Sequence, residues 1–183
     1  MLEAYLIKHC APTLASLKTA GLFRISFSSE EDLLEQFAQW NDVLGKKGVS
    51  LRLFQKQEET ALIYVYRKSK LEADLRAPGM ARFLRRYGYV QTDIGYALSR
   101  LGMRLQTKEE FPHEIGAFLG YPLGDVIGFI RNKGQNSKHT GDWKVYCNQG
   151  EALRLFRRFK KCKDVYKALW KQGRSILQLT VAA

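Results

Sequence analysis

The hydrophobic pattern at the start of the chain alternates between the periods of helices and strands. Residues 1–20 predict short helical pieces that Pro12 interrupts, with Thr13 available as an N-cap. Residues 22–27 place an apolar side chain at every second position, which predicts a half-buried strand. The buried face of this strand is expected to carry Phe23, Ile25 and Phe27.

A helix and a hairpin are predicted next. Ser28 and Ser29 precede acidic residues at the spacing of a capping box. The helix that follows has one apolar stripe, formed by Leu33, Phe37, Trp40 and Leu44. Two strand-like runs, 50–55 and 60–66, are joined by a polar loop and indicate a hairpin. The second run is apolar throughout, as in a central strand.

Helical spacing dominates the middle of the chain. Pro78 is placed to begin a helix over residues 80–87, and Thr92 to cap the next one. Residues 109–132 predict two further helices, separated at Gly120-Tyr121-Pro122.

The last third of the chain predicts a loop over residues 132–142, a fourth strand over 143–147 and a long amphipathic helix over 151–173. The whole pattern indicates one α+β domain spanning residues 1–183. We expect a small, mostly antiparallel sheet of about four strands covered by helices, with a helical middle and a long C-terminal helix.

Composition limits the class of protein. A hydrophobic fraction of 45% is ordinary for a globular chain, and the longest apolar run, residues 61–66, is too short to cross a membrane. The N-terminus lacks the pattern of a signal peptide. Three cysteines without Cys-x-x-Cys spacing argue against a disulfide scaffold or a zinc site. We therefore expect a cytoplasmic protein with no bound metal.

The net charge of +12 is distributed unevenly. Residues 1–75 are neutral, residues 76–150 carry +5 and residues 151–183 carry +7. This asymmetry indicates a basic face on the C-terminal helix, which would attract a polyanion or an acidic partner, or would only solubilise the domain.

A set of distinctive motifs runs from Phe111 to Tyr146. They are Phe-Pro-His-Glu-Ile-Gly at 111–116, Leu-Gly-Tyr-Pro at 119–122, Asp-Val at 125–126, Gly-Phe-Ile at 128–130, Asn-Lys-Gly at 132–134 and Trp-Lys-Val-Tyr at 143–146. Together with His-Cys-Ala-Pro-Thr-Leu at 9–14, this pattern resembles the bacterial family catalogued as domain of unknown function 3793. The resemblance covers nearly the whole chain and implies a cytoplasmic bacterial protein, without a known reaction, cofactor or catalytic residue.

His113 and Glu114 offer two interpretations. A histidine and a carboxylate can form an acid–base pair or contribute to a metal site, but the His-Glu-x-x-His zinc signature is absent because residue 117 is alanine. Alternatively, Pro112 begins a helix and Glu114 supplies the negative charge that its first turn favours.

The same segment has the spacing of a helix-turn-helix motif. Its second helix, however, offers Gly124, Ile127 and Gly128 where base-reading side chains belong, and no groove-reading residue before Arg131. An apolar helical hairpin that packs into the core explains this pattern better.

Polar residues cluster around the loop that follows. Gly134 permits a tight backbone turn that could hold an anion, and Lys144 and Tyr146 share one face of the next strand. Our first hypothesis is a binding protein for a small anionic ligand, a cofactor of unknown type or a protein partner. The candidate binding residues are His113, Glu114, Asn132, Lys133, Asn136, Lys144 and Tyr146.

Two alternatives belong to other functional classes. One is nonspecific nucleic-acid binding by the C-terminal helix, through Arg154, Arg157, Arg158, Lys160 and Lys161. The other is a thiol- or metal-dependent enzyme that uses Cys10 or His113; Cys147 and Cys162 instead fit apolar faces. Whether the protein is an enzyme, and its oligomeric state, are left open by the sequence.

Overall fold

The computed structural model describes residues 1–107 and 110–182. Within these residues the chain forms nine helices and five strands. The helices are α1 (Leu2–Leu14), α2 (Glu30–Gly45), α3 (Lys68–Arg76), α4 (Met80–Arg85), α5 (Ile94–Gln106), α6 (Ile115–Phe118), α7 (Leu123–Arg131), α8 (Gln149–Lys171) and α9 (Ile176–Leu179). The strands are β1 (Ala20–Ser26), β2 (Val49–Gln57), β3 (Thr60–Arg67), β4 (His139–Thr140) and β5 (Lys144–Val145). The fold is α+β, as predicted.

The main sheet has three antiparallel strands in the order β1-β3-β2. β3 is therefore central, which its continuous apolar run predicted. Its side chains alternate between two hydrophobic clusters on opposite faces of the sheet. Ala61, Ile63 and Val65 belong to the first cluster, and Leu62 and Tyr64 belong to the second.

Helices α1 and α2 cover the first cluster. α1 approaches the sheet closely at Gly21, where a Cβ atom would lie 2.8 Å from Sγ of Cys10. α1 is continuous through Pro12, so both the predicted interruption and the predicted N-cap at Thr13 are wrong. Pro12 lies in the last turn of the helix, where its missing N–H costs a single i→i−4 hydrogen bond. The predicted capping of α2 is confirmed, since the Ser29 side chain accepts a hydrogen bond from the Asp32 amide.

Helices α3 to α7 supply most of the second cluster. α5 is capped by Asp93 instead of the predicted Thr92, because the helix begins at Ile94 and the Asp93 carboxylate accepts from the Tyr96 amide at 2.9 Å. The predicted division into two helices at Gly120 is confirmed, although the predicted start at Glu109 lies outside the described residues.

The predicted fourth strand does not join the main sheet. Only Lys144 and Val145 are extended as β5, and they pair with β4 in a separate two-stranded ribbon. The amides of Tyr146 and Cys147, which follow β5, donate to the carboxylate of Asp125 on α7 instead of to a neighbouring strand. This contact shortens β5 and fixes the ribbon against α7.

α8 is the long amphipathic helix that the sequence predicts, and it packs against α1. It contributes Tyr166, Leu169 and Trp170 to the margin of the first cluster. Among the described residues, no helix combines the length and the apolar character needed to cross a membrane.

Candidate functional site

A cavity of about 260 Å³ lies where the ribbon meets α6 and α7. Its walls are largely apolar and include Leu119, Tyr121, Val126, Phe129 and Trp143. The rings of Tyr121 and Trp143 are stacked with their centroids 5.0 Å apart. A cavity of this size, with flat aromatic walls, suits a small ligand that has an apolar or planar body. We call it the first cavity.

Two glycines on α7 let the ribbon approach closely enough to form this cavity. A Cβ atom at Gly128 would lie 2.5 Å from Cβ and Cγ of Tyr146, and one at Gly124 would lie 2.5 Å from Sγ of Cys147. The glycines that the sequence places on the second helix of a helix-turn-helix pattern therefore face the ribbon. This packing agrees with the core interpretation of the segment and leaves that face of α7 covered.

Asp125 is the residue that holds this arrangement together, and sequence reasoning did not include it. Its side chain is buried and accepts hydrogen bonds at 2.8 Å from Nε1 of Trp143 and from the amides of Tyr146 and Cys147. A buried carboxylate requires such donors, and three of them fix both the ribbon and the Trp143 ring. The available signal was a single acidic residue within an otherwise apolar helix.

His113 separates the first cavity from a second one of about 390 Å³. Its ring centroid lies 5.0 Å from that of Phe129 and 5.6 Å from that of Phe111. His113 and Phe129 line both cavities. The second cavity is more polar than the first, and its charged lining residues are Arg104, Glu110, Glu114 and Lys133.

Glu114 is buried and committed to internal contacts. It accepts from Nε of Arg104 at 2.5 Å and from the hydroxyl of Tyr89 at 3.1 Å. Burial, together with this neighbouring carboxylate, raises the pKa of Tyr89 well above its ordinary value. Glu114 therefore anchors α5 and the segment before it to α6, and its hydrogen bonds go to residues other than His113.

Most of the predicted polar residues fix the loop after α7. Nδ2 of Asn132 donates to the Gly128 carbonyl at 2.8 Å, and Nζ of Lys144 donates to the Gly134 carbonyl at 2.6 Å. The hydroxyl of Tyr146 likewise donates to the Gln135 carbonyl at 2.9 Å.

The structure places only some of the candidate binding residues around the cavities. Lys144 lines the first cavity, Lys133 and Glu114 line the second, and His113 lines both. Asn136 is exposed and belongs to neither lining.

The surroundings of Cys10 do not activate its thiol as a catalytic cysteine requires. Its side chain is fully buried, and this burial raises the pKa of the thiol to about 12. The thiol is therefore protonated at neutral pH, which removes support for a nucleophilic role. In the part of the chain that the structure describes, no three His, Cys, Asp or Glu side chains are grouped so that they could hold a metal ion.

The five basic residues of α8 that the sequence singles out are all exposed. They are Arg154, Arg157, Arg158, Lys160 and Lys161. Across residues 1–107 and 110–182, none of the five forms an ion pair or a side-chain hydrogen bond. They lie on the side of α8 that faces away from its buried residues Ala152, Phe159 and Cys162.

Comparison with known proteins gives one match. The family model described as "Protein of unknown function (DUF3793)" matches residues 6–180. Neither the curated proteins nor the solved structures include a significant match. The matched segment contains the main sheet, both cavities and α8, so the chain belongs to the DUF3793 family.

Proposed function

We propose that the chain is a cytoplasmic binding protein for a small anionic ligand with an apolar body. The observation that carries this proposal is the shared wall of the two cavities. His113 and Phe129 border an apolar aromatic cavity on one side and a charged cavity on the other. A ligand whose apolar part occupies the first cavity would therefore present its polar group to the second.

The charges at this junction favour an anion. Glu114 pairs with Arg104, and the charge of Asp125 is distributed over three N–H donors. Lys133 and Lys144 are therefore the positive charges that a ligand would meet in the two cavities, and Glu110 is the negative charge that opposes them. Because Lys133 and Glu110 are both exposed, each can be changed without disturbing the core.

Two fluorescent probes with the same aromatic body test the proposal. Anilinonaphthalene sulfonate carries a negative charge, and N-phenylnaphthylamine is its neutral counterpart. We expect saturable one-to-one binding with tighter affinity for the sulfonate. Lys133→Gln should weaken sulfonate binding about three- to five-fold and Glu110→Gln should strengthen it, as for a partly solvated charge contact worth up to ~1 kcal/mol. The affinity for the neutral probe should change little in either variant.

Arg131→Gln is the matched control, because Arg131 is exposed on the last turn of α7 and lines neither cavity. It should leave both affinities unchanged. Failure of both probes to bind saturably would refute the ligand site. Equal affinities for the two probes, with no effect of Lys133→Gln, would refute the preference for an anion.

A second candidate function is nucleic-acid association through α8. Arg154, Arg157, Arg158 and Lys161 follow one another at i, i+3, i+4 and i+7, which places them on one stripe of the helix. An exposed stripe of cations without ion-pair partners in the described chain suits a row of phosphates.

The salt dependence of oligonucleotide binding tests this second candidate. Four phosphate contacts predict a slope of about −3 to −4 in a plot of log affinity against log salt concentration. Replacing all four residues of the stripe by glutamine should abolish that slope. Binding that is absent at low salt, or that keeps its slope in the quadruple variant, would contradict a role for α8.

A further inference from the structure

A third cavity, of about 240 Å³, shares Trp143 with the first as a lining residue. Residues from distant parts of the chain meet there: Lys18 and Thr19 after α1, Lys70 and Asp74 from α3, Gly120, and the apolar side chains of Trp143, Leu155 and Phe159. Two amines and a carboxyl group thus share a small cavity that has an apolar wall. None of these residues is used by the proposed anion site except Trp143.

We propose that this third cavity binds a small 2-oxo acid, whose keto carbon forms an imine with Nζ of Lys18. The ammonium group of Lys70 would hold the carboxylate, and the apolar wall would hold the side chain of the oxo acid. The proposal concerns a site separate from the anion site described above.

Lys18 is partly removed from water, as a reactive amine would be. Its side chain is half-buried, and Nζ lies 5.0 Å from the centre of the Tyr121 ring. Across the described residues, no hydrogen bond or ion pair to this ammonium group occurs within contact distance. The face of the Tyr121 ring favours the ammonium form, whereas partial removal from water without a carboxylate partner favours the neutral amine.

The charged groups around Lys18 act in opposite directions, and burial outweighs them. Asp142 is the nearby carboxylate, but it is paired with Lys163 at 2.5 Å. The pKa of Lys18 is lowered to about 8, mainly by burial; Asp142 and the Cys10 thiol act to raise it, and Lys163 adds a smaller lowering. At neutral pH such a lysine has on the order of a hundredfold more neutral amine than an ordinary lysine.

Asp74 is positioned to exchange protons in the same cavity. Its carboxyl group accepts from the Thr19 hydroxyl at 2.5 Å, and burial raises its pKa. Gly120 permits this contact, because a Cβ atom there would lie 2.6 Å from Oγ1 of Thr19 and 3.4 Å from Oδ2 of Asp74. The positive φ of +73° at Gly120 also favours glycine.

The reaction balances without another reactant. The neutral amine attacks the keto carbon and gives a carbinolamine, whose hydroxyl group takes a proton and leaves as water. From the ammonium form of Lys18, the products are one protonated imine and one water molecule. Asp74 would carry the proton between nitrogen and oxygen.

Reductive trapping on the full chain tests the proposal. The protein is incubated with phenylpyruvate and cyanoborohydride, and the modified lysines are located by peptide mass spectrometry. We expect Lys18 to be modified at least tenfold faster than any other lysine, with saturation in phenylpyruvate and a rate that reaches half its maximum near pH 8. Phenylacetaldehyde, which lacks the carboxylate, should modify Lys18 with less selectivity over the exposed lysines of the same protein.

Two variants separate chemistry from folding. Lys70→Gln should remove the preference for phenylpyruvate over phenylacetaldehyde and leave Lys18 reactive toward both. Lys46→Gln, at an exposed lysine remote from the cavity, should change nothing. Modification of Lys18 at the same rate as the exposed lysines of the unaltered protein would overturn the imine. No preference for phenylpyruvate in the unaltered protein would overturn the 2-oxo acid, and a preference that survives Lys70→Gln would overturn the role of Lys70 in holding its carboxylate. Because the mapping is done on unaltered protein, the test does not depend on a variant that folds.

Discussion

Arg67 is buried at the end of β3, and within the described residues its hydrogen-bond partners are all carbonyl groups. Nε donates to the Thr13 carbonyl at 2.7 Å, and Nη2 donates to those of Leu14 and Val181 at 2.6 and 2.7 Å. A longer bond of 3.4 Å joins Nη1 to the Lys47 carbonyl. One guanidinium group therefore joins the last turn of α1 to the segment after α9. The positive charge also lies where the dipole of α1 favours it.

The magnitude of this contribution follows from the contacts. Hydrogen bonds from a charged donor contribute about 1.5–3 kcal/mol each, and three short ones give about 5–9 kcal/mol. Burying the charge costs several kcal/mol in return, which leaves a net contribution of about 3–4 kcal/mol. A typical domain has only about 5–15 kcal/mol of total stability, so this single side chain supplies a large share of it.

We therefore expect Arg67→Met to lower the free energy of unfolding by about 3–4 kcal/mol, since the carbonyl groups of Thr13, Leu14 and Val181 each lose a charged donor. Arg67→Lys should lose about half as much, because one ammonium group cannot reach carbonyls on both sides. Urea denaturation followed by tryptophan fluorescence measures both changes. In Arg67→Met, the rate of amide hydrogen exchange should also rise more at residues 176–181 than in the β2–β3 hairpin.

Arg52→Met provides the control, because Arg52 is half-buried and makes one side-chain hydrogen bond, to Ser99 at 3.1 Å. It should cost less than about 1 kcal/mol. A loss below about 1 kcal/mol for Arg67→Met, equal to that of the control, would show that the carbonyl groups find water instead and would refute the reasoning.

Two further predictions concern packing and pH. Gly128→Ala should lower stability by about 1–2 kcal/mol, because the new methyl group would meet Tyr146 near its backbone. Gly124→Ala should be close to neutral, because its methyl group would meet only the end of the Cys147 side chain. Thermal unfolding of the two variants checks this, and equal losses of stability would contradict it. The stability of Asp74→Asn relative to the unaltered protein should rise as pH increases above 3.8. Because burial raises the pKa of Asp74 in the folded state, the unaltered protein loses stability as this carboxyl group ionises. The gain should stay below about 1 kcal/mol because the group is partly solvated, and a difference that is constant between pH 3 and 7 would argue against it.

Local features were predicted well from the sequence because they depend on neighbouring residues. The alternation of Phe23, Ile25 and Phe27 is seen in β1 and the residue that follows it, since these three side chains are buried in the first cluster. The glycine at position 120 likewise separates two helices, as its sequence context indicates. Each of these inferences needed only the period of the segment or the conformation of one residue.

Contacts between distant segments could not be predicted in this way. Lys18, Asp74 and Trp143 meet in one cavity although more than a hundred residues separate the first from the last. Asp125 was missed because its three donors belong to the ribbon, and Pro12 was misjudged because tertiary packing holds α1 together. The polar residues of the loop stand out in the sequence as candidate binding residues, but sequence could not show that Asn132, Lys144 and Tyr146 donate to backbone carbonyls.

The packing of α8 against α1 has a consequence for the chain while it is being synthesised. α1 leaves the ribosome before α8, but Tyr166 and Trp170 of α8 cover the margin of its cluster and follow more than 150 residues later. At a synthesis rate of about 5–20 residues per second, the apolar stripe of α1 stays uncovered for roughly ten to thirty seconds. Nascent chains that stall before α8 would therefore expose this stripe and be the species most in need of a chaperone.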